Sequence, residues 1–529
     1  MRYFKATSWL TALFCAIGFS VYGQTGDLQN LKTRAEKSGY EETSSYQDVM
    51  DFVNVLAIAS DVVHLTSFGK TVEGRDLPLI VLGAKDATPE AVLAENKVRA
   101  YVQGNIHAGE VCGKEALQMF LREYALGQHR ALTDSLVLLI APIYNADGNE
   151  RVDLKNRPRQ HGPLKGMGQR PNAQNYDLNR DHMKLDSPEA HALVGLFNAY
   201  DPQVIMDLHT TNGSYHAYHL TYASPLNPNT PEKIDAFLRE KWLPAITRDI
   251  KQKYGWNYYY YGNLPWRGMN AERGWYTFDH RPRFNNNYAG LRNRFGILSE
   301  AYSYATFEDR VKATLYFVQD VLAFAHGHAS EIRAIAAEAD RQNLIGTTLA
   351  LRAQMAKSGQ PVDILMGEVV EEKNPYSGEV ILRRQDVSRV EKMYEYGTFS
   401  PTLTGIVPEA YFIPPTQNAV LALVEAHGIR HEKLDAAQIL ALEQFRIDSV
   451  QVGRRPFQGH EQATVSGSYE KTNIELPAGT VKVPLDQPLA RLVFYLLEPQ
   501  SDDGVAAWDL LEPGWREAQD YPILRDPAK

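Results

Sequence analysis

Between residues 46 and 322, short apolar runs at 77–82 (LPLIVL), 99–102, 136–140 (LVLLI), 204–208 and 296–298 alternate with stretches at 113–124, 187–200, 231–253 and 307–324 whose apolar residues recur at helical spacing. Apolar runs too short for helices, set between amphipathic helices, build an α/β layer architecture around a mixed sheet flanked by helices. Two polar, Gly- and Pro-bearing stretches, 156–175 and 258–293, interrupt the pattern. Long connections of that kind inside a compact domain are usually functional loops. The composition shifts near residue 330, where 328–352 reads as a charged, alanine-rich helix. Beyond it come short strands, turns such as Asn374-Pro375-Tyr376-Ser377-Gly378, and a helix around 416–427. A chain of 529 residues is too long for one core. The expected organisation is a leader over 1–23, a first domain over 24–330 and a smaller α+β C-terminal domain over 331–529.

Charge and cysteine usage narrow the function classes. Lys plus Arg number 55 against 64 Asp plus Glu, a net charge of -9. That acidity excludes a nucleic-acid partner, which needs a basic face. Arg2 and Lys5 precede a mostly apolar run at 9–21, and cleavage before Gln24 fits the small-residue rule for a signal peptide. The run is shorter than the roughly 20 residues of a spanning helix, so the expectation is an exported protein, periplasmic or secreted, with no stable membrane anchor. Removal of the leader takes Cys15 with it and leaves Cys112 unable to form an intrachain disulfide.

The segment from Arg99 to Glu110 runs from a strand into a turn carrying His107-Ala108-Gly109-Glu110, and a helical pattern follows. The H-x-x-E spacing by itself is weak, since it recurs at His328-Ala329-Ser330-Glu331 in a polar helix. A catalytic zinc needs three protein ligands and one open position. His209 ends the apolar strand 204–208, and ligands at strand ends on one edge of a sheet converge on one ion. His107, Glu110 and His209 are therefore the candidate metal ligands.

Further motifs follow in a fixed order: Asn145-Ala146-Asp147-Gly148, then Asp177-Leu178-Asn179-Arg180, then the strand-end His209, with Gly69 to Arg75 upstream. This order resembles the zinc carboxypeptidase family over about residues 46–325. The resemblance implies one Zn2+ per catalytic domain and hydrolysis of a peptide bond next to a free C-terminal carboxylate. It implies that Asp177 orients the first histidine, a role the free imidazole N–H requires. It assigns Asn179 and Arg180 to the substrate carboxylate, which suits the guanidinium fork. Arg170, with Arg157 and Arg159 as rivals, would polarise the scissile carbonyl and stabilise the oxyanion. Glu300, at the end of the strand beginning at Phe295, resembles the general base that activates water and then protonates the leaving amine.

The chain departs from the family at Ala108 and Gly109, where digestive members carry an arginine. The tyrosine that closes over substrate has no secure match among Tyr276, Tyr288 and Tyr258 to Tyr261. Arg281 and Arg283, near the base of the side-chain pocket, hint at acidic or polar substrates. Two other readings keep the same residues: an amidoacylase or murein-peptide amidase using the same zinc site, and a catalytically silent binding protein. An intact Glu300 beside three ligands argues against the last. The region after residue 331 resembles the tail of some large bacterial members of the family; its adjacent acids Asp502 and Asp503 read as a solvated turn more readily than as a calcium site.

Overall fold

The computed structural model describes residues 28–529 apart from 212, 267 and 269, so the leader expected at 1–23 lies outside the described residues. The chain lays down β1 (His64–Lys70), β2 (Asp76–Leu82), β3 (Val98–Gly104), β4 (Leu136–Ala141), β5 (Val204–Thr211), β6 (Leu220–Ala223), β7 (Tyr258–Tyr260), β8 (Gly274–Tyr276) and β9 (Phe295–Tyr302). All but β8 form one mixed sheet in the order β1-β2-β4-β3-β5-β9-β6-β7. The five apolar runs of the sequence are β2, β4, β3, β5 and β9, which are neighbours in that sheet. β4, β3, β5 and β9 run parallel. Parallel strands are covered on both faces, which is why they read as near-continuous apolar runs rather than as alternation.

The covering helices are α1 (Tyr46–Ala59), α2 (Cys112–Ala125), α3 (Pro188–Tyr200), α4 (Leu243–Tyr254), α5 (Asn285–Leu291), α6 (Phe307–Gly327) and α7 (Ala329–Arg341). Local chemistry marks their ends. In α3, Ser187 accepts the Ala190 N–H, Pro188 opens the helix, and Asp201 closes it in the left-handed region at φ 44°. Successive strand residues face opposite ways. Ile80, Val102, Ile140 and Met206 therefore meet Leu117, Phe120 and Leu121 of α2 and Val318 and Leu322 of α6. Val81, Tyr101, Leu139 and Ile205 meet Leu193, Val194 and Phe197 of α3 on the other face.

That second cluster continues without a break into the C-terminal region, through Val420, Leu492, Phe494 and Trp508. The α+β region is thus packed onto the sheet's second layer. Its six-stranded sheet includes the long hairpin β10 (Gln438–Val452) and β11 (Ala463–Leu476). β8 pairs in parallel with Arg389–Tyr396 of the same region.

Two expectations for this region are corrected. The helix expected over 328–352 ends at Arg341, because a turn with Gly346 at φ 78° follows and the β-branched pair Thr347-Thr348 leads into a strand, Thr348–Ala356. Asp502 and Asp503 are not a solvated turn: Asp503 is fully buried and pairs with Arg283, and Asp502 accepts from the Tyr495 hydroxyl at 2.6 Å. Among the described residues no helix is long and apolar enough to cross a membrane.

Candidate metal centre

In a parallel sheet the crevice opens where connections leave a strand in opposite directions. β3 is that strand, with β4 on one side and β5 on the other. His107 and Glu110 follow β3 in a turn closed by the Glu110 N–H donating to the His107 carbonyl at 2.8 Å. His209 lies near the end of β5, where it is register-paired with Glu300 of β9. A Cβ at Gly113 would come within 2.7 Å of the Leu208 Cβ, so only glycine lets the start of α2 press this close to β5. A Cβ at Gly109 would meet the Gly168 carbonyl at 2.8 Å and the Arg157 Cγ at 3.2 Å. Arg157 thus occupies the space that a side chain between the two first ligands would fill.

The ligand atoms of His107, Glu110 and His209 all lie within 4.8 Å of one another, and all three residues are buried. The two Nδ1 atoms face each other at 3.2 Å, and Glu110 lies 3.0 Å from His107 Nδ1 and 2.8 Å from His209 Nδ1. Two imidazole nitrogens on a tetrahedral zinc are about 3.3 Å apart, given Zn–N bonds of roughly 2.0–2.1 Å. The far nitrogens are tied down: His107 Nε2 meets Asp177 Oδ1 at 2.9 Å, and His209 Nε2 meets Asp207 Oδ2 at 2.8 Å. Each carboxylate accepts a hydrogen bond from an Nε2–H, which leaves the Nδ1 lone pair facing inward, the arrangement a metal-binding histidine requires. The donor set and its spacing fit a zinc ion.

Electrostatics favour positive charge at the same point. Burial alone would lower the His209 pKa, but Asp207 and Glu110 raise it well above the ordinary histidine value. Burial pushes the Glu110 carboxyl up, and Arg157 and His107 outweigh it and hold the group well below the usual carboxylate range. Asp177 follows the same pattern: burial raises it, while His107, Arg180 and Arg170 keep it ionised. Glu300 differs. Burial pushes it up to about 8 against the opposing pull of His209, and its Oε2 is buried with no hydrogen-bond partner. A buried carboxylate oxygen left unpaired beside a cation site is a functional signature.

The cleft around this centre is lined by Arg157, Arg170, Asn179, Arg180, Thr210, Thr211, Tyr261, Phe278, Phe284, Leu298 and Glu300 as well as the three ligands. Arg170 grips Asp177 Oδ2 through Nε at 2.9 Å and Nη2 at 2.8 Å, and its Nη1 stays 3.6 Å from Glu110. Arg157 donates directly to Glu110. Arg159 lines an adjoining groove with Tyr304. The Arg180 guanidinium lies 3.8 Å above the Phe284 ring, and Asn179 accepts the Asn285 N–H through Oδ1 at 2.9 Å. The candidate ligands, Glu300, Arg157, Arg170, Asn179 and Arg180 thus border one space, with Asp177 behind it and Arg159 beside it. The Asn145–Gly148 and Gly69–Arg75 motifs are scaffold: Asp147 accepts from the Thr71 hydroxyl at 2.7 Å and from Arg75 at 2.6 Å.

Asp207 is a residue that the sequence motifs do not mark. Asp207 lies two positions before His209 on the same strand face, so a lone acid in an apolar strand was its signal. Among the tyrosines considered, Tyr261 borders the cleft, Tyr276 stacks on Tyr396 at 4.2 Å, and Tyr288 is buried against His427. The hint drawn from Arg281 and Arg283 does not hold, because Arg281 is paired with Asp279 and Arg283 with Asp503.

Residues 49–239 match the model of a known family, described as zinc carboxypeptidase. "Carboxypeptidase 2" of Trichophyton tonsurans is 24% identical over 483 residues, covering 87% of this chain and 82% of that protein. "Carboxypeptidase Z" of Mus musculus is 35% identical over 137 residues, 25% of this chain and 20% of that protein. The crystal structure of a metallo-carboxypeptidase from Burkholderia cenocepacia aligns with a TM-score of 0.40 and 19% identity, covering 54% of this chain and 70% of that one. Over residues 49–239 the chain is thus similar to the zinc carboxypeptidases, and over most of its length to a protein named as a carboxypeptidase.

Proposed function

We propose that the protein removes a residue from the C-terminus of a peptide, with His107, Glu110 and His209 holding one zinc ion and Glu300 moving the proton. The observation that carries this reading is the convergence of the three ligand atoms beside the unpaired Oε2 of Glu300. Zinc, when bound, supplies Lewis acidity that polarises a carbonyl and eases deprotonation of water. Glu300 accepts the proton of the attacking water at its free oxygen and returns it to the departing amine, a double duty that its raised pKa suits. Asp177 and Asp207 hold the two imidazoles in the tautomer and orientation their task requires.

Arg180 and Asn179 anchor the terminal carboxylate, the guanidinium being kept in its pose by stacking on Phe284. Arg170 is the better choice than Arg157 for the developing oxyanion, because Arg157 is engaged with Glu110. Next to Arg180 the cleft wall is Phe278, Phe284, Leu298 and Tyr261, and the nearby cations Arg281 and Arg283 are neutralised by carboxylates. These surroundings support a neutral, apolar side chain at the residue released. Residues 331–529 form an accessory region that frames the cleft, and the leader directs export.

Mass spectrometry of a peptide library after incubation with the zinc-loaded protein tests this directly. Stepwise loss of apolar residues from free C-termini is the expected result. Cleavage confined to N-acyl amino acids or to internal bonds would overturn it.

A further inference from the structure

The accessory hairpin reaches the carboxylate that orients His107. At its tip Phe457 and His460 exchange both backbone hydrogen bonds, at 2.8 and 3.1 Å. The residues between them, Gln458 and Gly459, sit at φ 51° and 85°. Two central residues with positive φ define the tight hairpin turn that favours Asn-Gly. Glutamine in the left-handed region is uncommon, and strain of this sort is found where a side chain has a task.

The task is visible in its contacts. Gln458 Oε1 accepts the Asp177 N–H at 2.7 Å, and because the partner is a backbone N–H, the amide orientation is dictated. Asp177 then divides its oxygens between His107 Nε2 and the guanidinium of Arg170. Asp177 also caps the short turn Leu178–Arg180, accepting the Asn179 N–H at 3.0 Å. One bond from the hairpin tip therefore bears on both the metal-orienting carboxylate and the pair placed to meet substrate. Two neighbours seat the tip. His460 Nε2 lies 2.7 Å from Asp186 Oδ2, and Gly459 lies so close to Tyr176 that a Cβ there would be 3.2 Å from the tyrosine hydroxyl. Phe457, 36% exposed, and His460 also rest on the buried Trp508 ring at 6.0 and 5.8 Å, and substitutions confined to the Gln458 side chain leave these contacts in place.

We propose that Gln458 is a positioning residue for the metal centre: by holding the Asp177 amide, the C-terminal region completes the active site of the catalytic domain within the same chain. This inference rests on the zinc-peptidase reading of that centre. It makes the accessory region part of the catalytic apparatus rather than a separate module.

Two variants of the full-length protein separate this role from hairpin stability. Gln458→Asn suits the turn better but is one methylene too short to reach Asp177; Gln458→Glu keeps both length and acceptor. The readouts are zinc affinity of the metal-stripped protein by chelator competition, kcat and KM on a peptide with a free C-terminus, and the thermal midpoint. Removing outer partners of metal ligands weakens binding about 10- to 100-fold, and Gln458 acts one bond further out. Gln458→Asn should therefore bind zinc roughly 3- to 10-fold more weakly and lose kcat, with a thermal midpoint unchanged or raised, and Gln458→Glu should recover both. Wild-type zinc affinity in Gln458→Asn, or a Gln458→Glu protein as impaired as Gln458→Asn, would overturn the proposal. Parallel titration of His209→Ala distinguishes the two levels: if it binds zinc like the wild type, the metal assignment itself fails, whatever Gln458 does.

Discussion

At the metal end of the cleft, His107, Glu110 and His209 hang from two adjacent parallel strands, and Glu300 is register-paired with His209 on the next. At the substrate end, Arg180, Phe278 and Phe284 sit on loops, and those loops are braced from the C-terminal region. Arg283 pairs with Asp503 and stacks over Trp508 at 4.3 Å, His280 meets Asp502 at 3.1 Å, and β8 pairs with Arg389–Tyr396. The first end is mounted mainly on one sheet, with the Gln458–Asp177 bond reaching it from the C-terminal region. The second takes its geometry from side-chain contacts between regions far apart in the chain. The proposed chemistry, which would tolerate little displacement, is thus mounted on the stiffest element, while the surfaces proposed to meet substrate are held by exchangeable contacts.

The contrast can be broken first at its rigid end. His209→Ala should abolish zinc retention and hydrolysis together, as metal analysis and a peptide assay would record. Glu300→Gln should keep full zinc content while kcat falls about 10²- to 10⁴-fold; activity near the wild-type level would reject Glu300 as the base. At the braced end, Arg283→Ala leaves Asp503 buried without its charged partner and should cost about 3–5 kcal/mol in denaturant unfolding, with far less loss of zinc affinity than His209→Ala. Equal loss of zinc in the two variants would mean that the ends are not separable.

Arg180→Ala removes charge-assisted hydrogen bonds worth about 1.5–3 kcal/mol and should raise KM roughly 10- to 100-fold for peptides with free carboxylates. Amidated peptides should be spared, and an equal rise for both would argue against carboxylate anchoring. The smallest expected effect is a pH dependence of the joint between the two regions. Burial, assisted by Arg292, lowers His427 to about 3, and the neutral ring meets the Tyr288 hydroxyl at 2.8 Å and the Met183 carbonyl at 3.2 Å. Between its folded value and the unfolded value of about 6.5, the unfolded chain binds more protons. The stabilisation is therefore complete above about pH 6.5 and is lost as pH falls toward 3. Thermal midpoints measured across that window should decline, and the decline should be shallower in His427→Gln.

Much of the metal end was readable in advance. Strands buried on both faces appear as apolar runs, and a histidine or glutamate at the end of such a run is a candidate for chemistry, which marks His209 and Glu300, while His107 is marked by the turn that follows β3 and by its spacing to Glu110. Asp207 carries a signal of the same kind, but an acid within a strand resembles a structural partner until the imidazole it contacts is seen to face a candidate ion site. Less of the substrate end was readable. Arg281 and Arg283 look like free cations in sequence, and their neutralisation by Asp279 and Asp503 depends on partners that composition does not reveal. Tyr261 could be separated from Tyr258, Tyr259 and Tyr260 only by its position beside the cleft, since all four share one local pattern.

The order of elements, the apolar core strands and the candidate ligands at or just beyond their ends were legible in the chain itself, because apolar periodicity and the polar residues that follow it are local properties. The pairing of Gln458 with Asp177 spans 281 positions, and the joint between Arg283 and Asp503 spans 220. Contacts at such separations leave no trace in local pattern. They exist because the C-terminal region packs on the second face of the sheet, and only the folded arrangement could decide that the active site would be finished from there.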